Sequence, residues 1–405
     1  MIALPLLVAA VAGAAPSRQT DAAPADRSEA AVSIVRALLQ VRYRQTAVAV
    51  VPRLTELVQD QFPAAVAADT LRTIRDTRRV GDGLSLRRAW LELEAKPLEY
   101  LHGELRVDFA RLFSQESGDH HVTDDHHQVL EAFVGELTPR LELTLSVGLF
   151  EVPFSLFELL HDPEFELAEK GPSHELLEHL RFTGSEVGAM ARFVPLAREE
   201  WLELYAGVFD GGATDAQTFR GPGLVAGRIL GQPVPALRLG AGLVWRPEAL
   251  DAWFEDYRFR YQASDEGAAY GVDATFSVGD FSLRAEWLAG DRTDNDVEFP
   301  FLVRRGEARR FMAFWGMARF RIPLGGMALT PALRGELLDT DREHGDVGGI
   351  VHLSAGLNLD LSERWRLMWD LSQHYVQPGT RNWEFDIVRY DTDATSGTLQ
   401  LQLEL

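Results

Sequence analysis

Apolar and polar residues alternate with a period of two along most of the chain, the pattern of strands that give one face to an apolar surrounding. In the segment 349–361, Val351, Leu353, Ala355, Leu357 and Leu359 share one face. His352, Ser354, Gly356, Asn358 and Asp360 share the other. The segment 141–150 divides the same way, Leu141, Leu143, Leu145, Val147 and Leu149 against Glu142, Thr144, Ser146 and Gly148. Strand-like segments fall at 33–44, 84–95, 100–112, 128–137, 141–150, 186–193, 200–209, 224–230, 236–245, 268–278, 281–291, 310–321, 327–338, 349–361, 365–375 and 398–405. The first of these also fits a helix. Connections alternate in length: after each even segment comes a tight turn, such as 279–280 or 362–364, and after each odd one a long polar stretch, such as 45–83 or 151–185. Short turns at one end and long loops at the other mark transmembrane barrels. A soluble sandwich shares the alternation with its apolar face inside, but about sixteen strands with no break between domains favour one closed barrel. The fold class expected is therefore all-β: a transmembrane antiparallel β-barrel of about sixteen strands with a long inward-folding loop after the fifth. Tyr100, Trp201, Trp245, Trp287, Trp365 and Tyr375 suit interfacial aromatic girdles. Within the long connections, 54–74 and 165–180 carry helical patterning.

Composition narrows the class. The chain is 46% hydrophobic, and after residue 15 it has no apolar run of the ~18 residues that a spanning helix needs. Residues 1–15 read as a signal peptide, 16–32 as a flexible linker and 33–405 as the barrel domain. There are no cysteines, so disulfides and thiol chemistry are absent. The net charge of −21 argues against nucleic acid. Lys96 and Lys170 are the only lysines, so the basic chemistry is arginine chemistry, suited to bidentate oxyanion contacts.

The residues 136–171, with Gly148, Phe150, Val152, Pro153, Phe154 and Ser155 followed by Glu164, Phe165 and Glu166, resemble the phosphate-selective porin O/P family. The paired arginines Arg87 and Arg88 in 84–97, the stretch 38–44 and the stretch 205–212 are similar to further strands of that family. The resemblance implies a trimeric outer-membrane porin with a constriction loop carried by Phe150, Pro153, Phe154 and Ser155. Its partners would be outer-membrane lipid and small anions or other solutes.

Parity places many arginines on the polar face: Arg36, Arg42, Arg44, Arg88 and Arg106 in the first half, then Arg192, Arg228, Arg238, Arg284 and Arg319. Aligned along the axis they form a ladder of anion donors; Arg88 is the best single candidate for the constriction wall, and Arg87 should face the opposite side. The same face carries acids, among them Glu92, Glu142, Glu203, Asp273, Glu286 and Asp370, and an internal salt-bridge network is the competing reading. The histidines at 120, 121, 126 and 127 match no standard metal spacing and read as a solvated loop, so no metal and no cofactor is expected. No nucleophile elbow, phosphate loop or His-Glu-x-x-His motif occurs, and no enzyme activity is expected. The function expected is passive diffusion of small hydrophilic solutes, with phosphate or other anions favoured. Two alternatives stay open: a structural or adhesive barrel plugged by its own loop, and an outer-membrane hydrolase.

Overall fold

A computed structural model describes residues 32–50, 82–98, 101–109, 127–133, 142–160, 165–180, 182–195, 201–210, 223–246, 253–256, 259–262, 267–293, 308–339, 342, 349–376 and 392–405, with a few single positions between 59 and 72. The expected signal peptide, the linker up to 31, the helical stretch 54–74 apart from those single positions, and the histidines at 120, 121 and 126 lie outside these residues, whereas His127 opens a strand.

The strands are β1 (Val32–Val50), β2 (Gly83–Leu98), β3 (Leu101–Asp108), β4 (His127–Phe133), β5 (Glu142–Glu151), β6 (Ser185–Val194), β7 (Leu202–Phe209), β8 (Leu224–Val234), β9 (Leu237–Arg246), β10 (Trp253–Asp256), β11 (Phe259–Gln262), β12 (Gly267–Val278), β13 (Phe281–Thr293), β14 (Ala308–Phe320), β15 (Ile322–Leu324), β16 (Met327–Asp339), β17 (Gly349–Asp360), β18 (Trp365–Val376) and β19 (Thr392–Glu404). β10 and β11 pair only with each other, and β15 continues β14 past Arg321. The rest form an antiparallel sheet of sixteen strands. Each pairs with its neighbour in sequence, and β1 pairs with both β2 and β19. The seam is sealed by mutual backbone hydrogen bonds between Ala37 and Leu405, 3.0 and 2.9 Å long. Closure leaves no free edge, the condition for strands to cross a bilayer.

The alternation read from the sequence sorts in space. On β16, Leu333 and Leu337 are 64% and 55% exposed, while Arg334 and Glu336 between them are 4% and 2% exposed. Leu353 and Leu357 of β17, Leu371 of β18 and Leu399 of β19 continue the exposed apolar surface, and Ser354, Asn358, Asp370 and Gln400 face inward. An apolar exterior around a polar interior is the transmembrane arrangement. Trp201, Trp245, Trp365 and Tyr375 stand exposed at strand ends, as girdle residues do. Trp287 does not join them, because it lies in the middle of β13. The β12–β13 turn is two residues long, with Gly279 at φ +56° and Asp280 after it, so the positive φ that a tight hairpin demands falls on glycine. The first segment, whose composition also fitted a helix, is strand throughout.

Candidate functional site: a charged constriction

The long connection between β5 and β6 runs along the polar inner face. Val152, Pro153, Phe154 and Ser155 are buried, a 3-10 turn follows at Phe157–Leu159, and helix α1 spans Pro172–His179. The helical patterning at 165–180 is therefore realised only in its second half. Proline at the start of α1 stops the helix extending further back, and Gly171 before it is at φ +100°.

A buried loop has backbone groups that must find partners, and inward side chains of the barrel supply them. Glu286 on β13 accepts hydrogen bonds from Ser155 Oγ at 3.1 Å, Leu156 N at 2.8 Å and Trp315 Nε1 at 2.9 Å. Arg228 on β8 pairs with Asp273 on β12 and donates to the Phe154 carbonyl. Arg334 pairs with Glu336 at 2.5 Å and donates to the Lys170 carbonyl, and Glu336 accepts from Ser173 N at 2.5 Å. Asp370 accepts from Ala168 N at 3.2 Å, and Asn358 donates to the Glu166 carbonyl at 2.9 Å. Gly242 of β9 makes room for the tether, since a Cβ there would meet the Phe154 carbonyl at 2.5 Å.

Two loop carboxylates complete the clamp. Glu166 takes Arg284 at 2.8 Å and Arg319 at 2.5 Å. Glu169 takes Arg42 at 2.5 Å and Arg44 at 3.4 Å on β1. Apolar packing adds to these bonds. Leu176, Leu177 and Phe182 of the loop join a buried cluster with Phe209, Leu224, Val244, Leu288 and Phe311 of the wall. Phe157 stacks on Trp315 at 4.6 Å. His174 on α1 sits 3.4 Å from Glu158 and 2.8 Å from Glu178, tying the helix to the 3-10 turn.

Burial alone would raise the Glu169 carboxyl, but Arg42 first, then Arg87 and Arg44, hold it down at about 2. A depressed carboxylate stabilises what it holds above its ordinary pKa near 4.5, and that contribution is lost as pH falls through the folded value. The Glu169 clamp is therefore expected to be indifferent to pH between 7 and about 5 and to release on approach to pH 2. Single-channel conductance against pH reads this directly, and in Glu169→Gln the acid step should be missing.

The arginines picked out by parity fall into separate places. Arg42, Arg44, Arg228, Arg284 and Arg319 all meet the loop or the Asp273 that supports it. Arg192 pairs with Glu142 at 2.8 Å and Glu203 at 3.2 Å, and the exposed Arg238 reaches Glu203 at 3.4 Å, all near the short-turn end. Arg106 pairs with Glu92 at 3.0 Å. Arg88 is buried opposite Gln40 of β1. Arg36 is exposed, beyond a shift in register between Ile34 and Arg36. A ladder of bare guanidiniums is thus replaced over much of its length by paired charges, because each inward arginine named above with an ion pair has an acid within reach on the loop or on its own or a nearby strand. Of the constriction motif, Phe150, Pro153, Phe154 and Ser155 are all buried at the point where the loop leaves β5.

Arg87 is the residue that parity misplaced. Gln40 pairs with Arg88 and Val41 with Leu86, so Arg87 is the extra residue of a bulge, and its charge acts on the loop carboxylates Glu169 and Glu178. A bulge inserts one residue and breaks the alternation; two consecutive arginines inside an alternating strand were its visible signal. Glu286 and Trp315 as loop anchors had no signal beyond facing inward.

A closed sixteen-stranded barrel, apolar outside and polar inside with a loop tied across its interior, is a transmembrane barrel of the outer-membrane type, and the outer membrane is its location. In fold the chain is similar to OmpF of Salmonella typhi in complex with daunomycin, at 10% identity and a TM-score of 0.54, covering 92% of this chain and 97% of that one. It is similar to the outer membrane channel DcaP of Acinetobacter baumannii at 12% identity and TM-score 0.50, covering 95% and 100%. It is also similar to a loop-deleted OmpT, an outer membrane protein of Vibrio cholerae, at 11% identity and TM-score 0.50, covering 92% and 99%. No family model and no curated protein matches the sequence. At these identities the likeness carries the fold, and the function must be argued from the site.

Proposed function

We propose that the protein is a porin that passes small hydrophilic solutes by passive diffusion, with the 151–184 loop as its constriction. The observation that carries this reading is the clamp: a single loop bonded to inward groups of β1, β8, β13, β14, β16, β17 and β18 lies across the interior and sets what can pass. The finer reading is a preference for anions, with phosphate-like oxyanions as the class that the family resemblance suggests. In its support, the charges of Arg42, Arg44 and Arg87 all act on one loop carboxylate, Glu169. A homotrimer in outer-membrane lipid follows from the same resemblance.

The plugged structural barrel is the second reading, favoured by the apolar cluster of Leu176, Leu177 and Phe182, which fills part of the interior. A planar-bilayer measurement separates the two. Discrete channels whose reversal potential in a chloride gradient is anionic, and whose current falls on adding phosphate, are expected. In Arg87→Ala the anion preference should weaken. Cation-favouring channels would remove the anion reading and keep the porin; a folded barrel that never conducts would leave the plug. As for hydrolysis, Ser354 Oγ lies 2.7 Å from His352 Nε2, but among the described residues His352 Nδ1 has no hydrogen-bond partner and so no acid orients the ring as a triad requires.

A further inference from the structure

We infer that His352 and His374 form a binding site for a divalent transition-metal ion on the inner wall of the barrel. The two residues are directly opposed in the β17–β18 register, both inward and both at least nine-tenths buried, with ring centroids 6.0 Å apart. Directly opposed strand residues hold their Cβ atoms about 4.5–5.5 Å apart. One ion with metal–nitrogen bonds of about 2.0–2.1 Å fits between imidazoles at this spacing.

The hydrogen bonds around His352 prepare it as a ligand. Its Nε2 lies 2.7 Å from Ser354 Oγ, which lies 3.0 Å from Ser372 Oγ. With the Ser354 hydroxyl donating to Ser372, Ser354 Oγ accepts the Nε2–H, and the lone pair falls on Nδ1. That nitrogen is buried and has no hydrogen-bond partner among the described residues, a costly state for a polar atom unless a ligand covers it. A ligating imidazole whose far nitrogen donates to a second group is the usual construction of a metal site. Glu336 stands opposite His352 in register but is engaged by Arg334 and by Ser173 N, so it supplies charge rather than a bond. Among the described residues no group of three His, Cys, Asp or Glu side chains converges, so water completes the coordination. Imidazole and water donors favour Cu(II), Ni(II) and Zn(II) over magnesium or calcium, with Cu(II) held most tightly.

The test is a Cu(II) titration of the full chain in detergent, with the clustered histidines at 120, 121, 126 and 127 replaced by alanine so that they do not compete. The expected result is one ion whose electron paramagnetic resonance spectrum shows coupling to two nitrogens. His352→Gln and His374→Gln should each leave one nitrogen and weaken affinity at least about tenfold, and Ser354→Ala should keep both nitrogens while weakening it about tenfold. Heat-modifiable gel migration confirms the barrel in every variant. Absence of a two-nitrogen signal in the parent, or its persistence in His374→Gln, overturns the site. Neither readout involves conductance, so the outcome is independent of the porin reading.

Discussion

Replacing Glu286 with alanine is expected to free the start of the constriction loop and raise single-channel conductance. Glu286 is 2% exposed and is the common acceptor for Ser155 Oγ, Leu156 N and Trp315 Nε1. Removing it orphans three donors inside the barrel, at a cost of about 1–3 kcal/mol for each that finds no water. The cheapest relief is for Ser155 and Leu156 to leave the wall, which also unstacks Phe157 from Trp315. Planar-bilayer recordings of Glu286→Ala beside Glu286→Gln check this. Glutamine keeps one acceptor oxygen, so it should hold the loop better. Equal conductance in all three proteins would show that Glu286 does not position the loop.

The largest effect on stability is expected from Arg228→Ala. The Arg228 and Asp273 side chains are 1% and 3% exposed, and Arg228 also covers the Phe154 carbonyl. Breaking one partner of a fully buried pair leaves an uncompensated charge, which costs about 3–5 kcal/mol. Thermal unfolding of the detergent-solubilised barrel should shift down strongly in Arg228→Ala. It should recover much of that shift in the double variant Arg228→Met, Asp273→Leu, where no charge remains. A double variant as unstable as the single one would mean that the pair matters through packing and not charge.

Most of the barrel was legible before any coordinates. The parity of Val351 to Leu359 named the outer face, because a strand has no other way to present one apolar side to lipid than to alternate. The turn glycine at 279 and the alternation of short and long connections set the order and direction of strands. Less was legible where regularity breaks. The alternation gave Arg87 to the wrong face because a bulge shifts register locally. The 165–180 pattern overstated a helix that begins only at Pro172, since residues 165–170 give their backbone groups and charges to the wall instead. Trp287 was grouped with the girdle by residue type alone, although it sits mid-strand.

What the amino-acid sequence determined by itself is what depends on neighbours along the chain: the strands, their turns and, where no bulge intervenes, their two faces. What only the tertiary structure decided is which inward groups meet. Glu169 with Arg42 and Glu286 with Leu156 are 127 and 130 positions apart in the chain. Their pairing follows from barrel closure and from the path of one loop. Periodicity fixes the direction of a side chain, whereas a contact between distant residues depends on how the whole sheet curls back on itself.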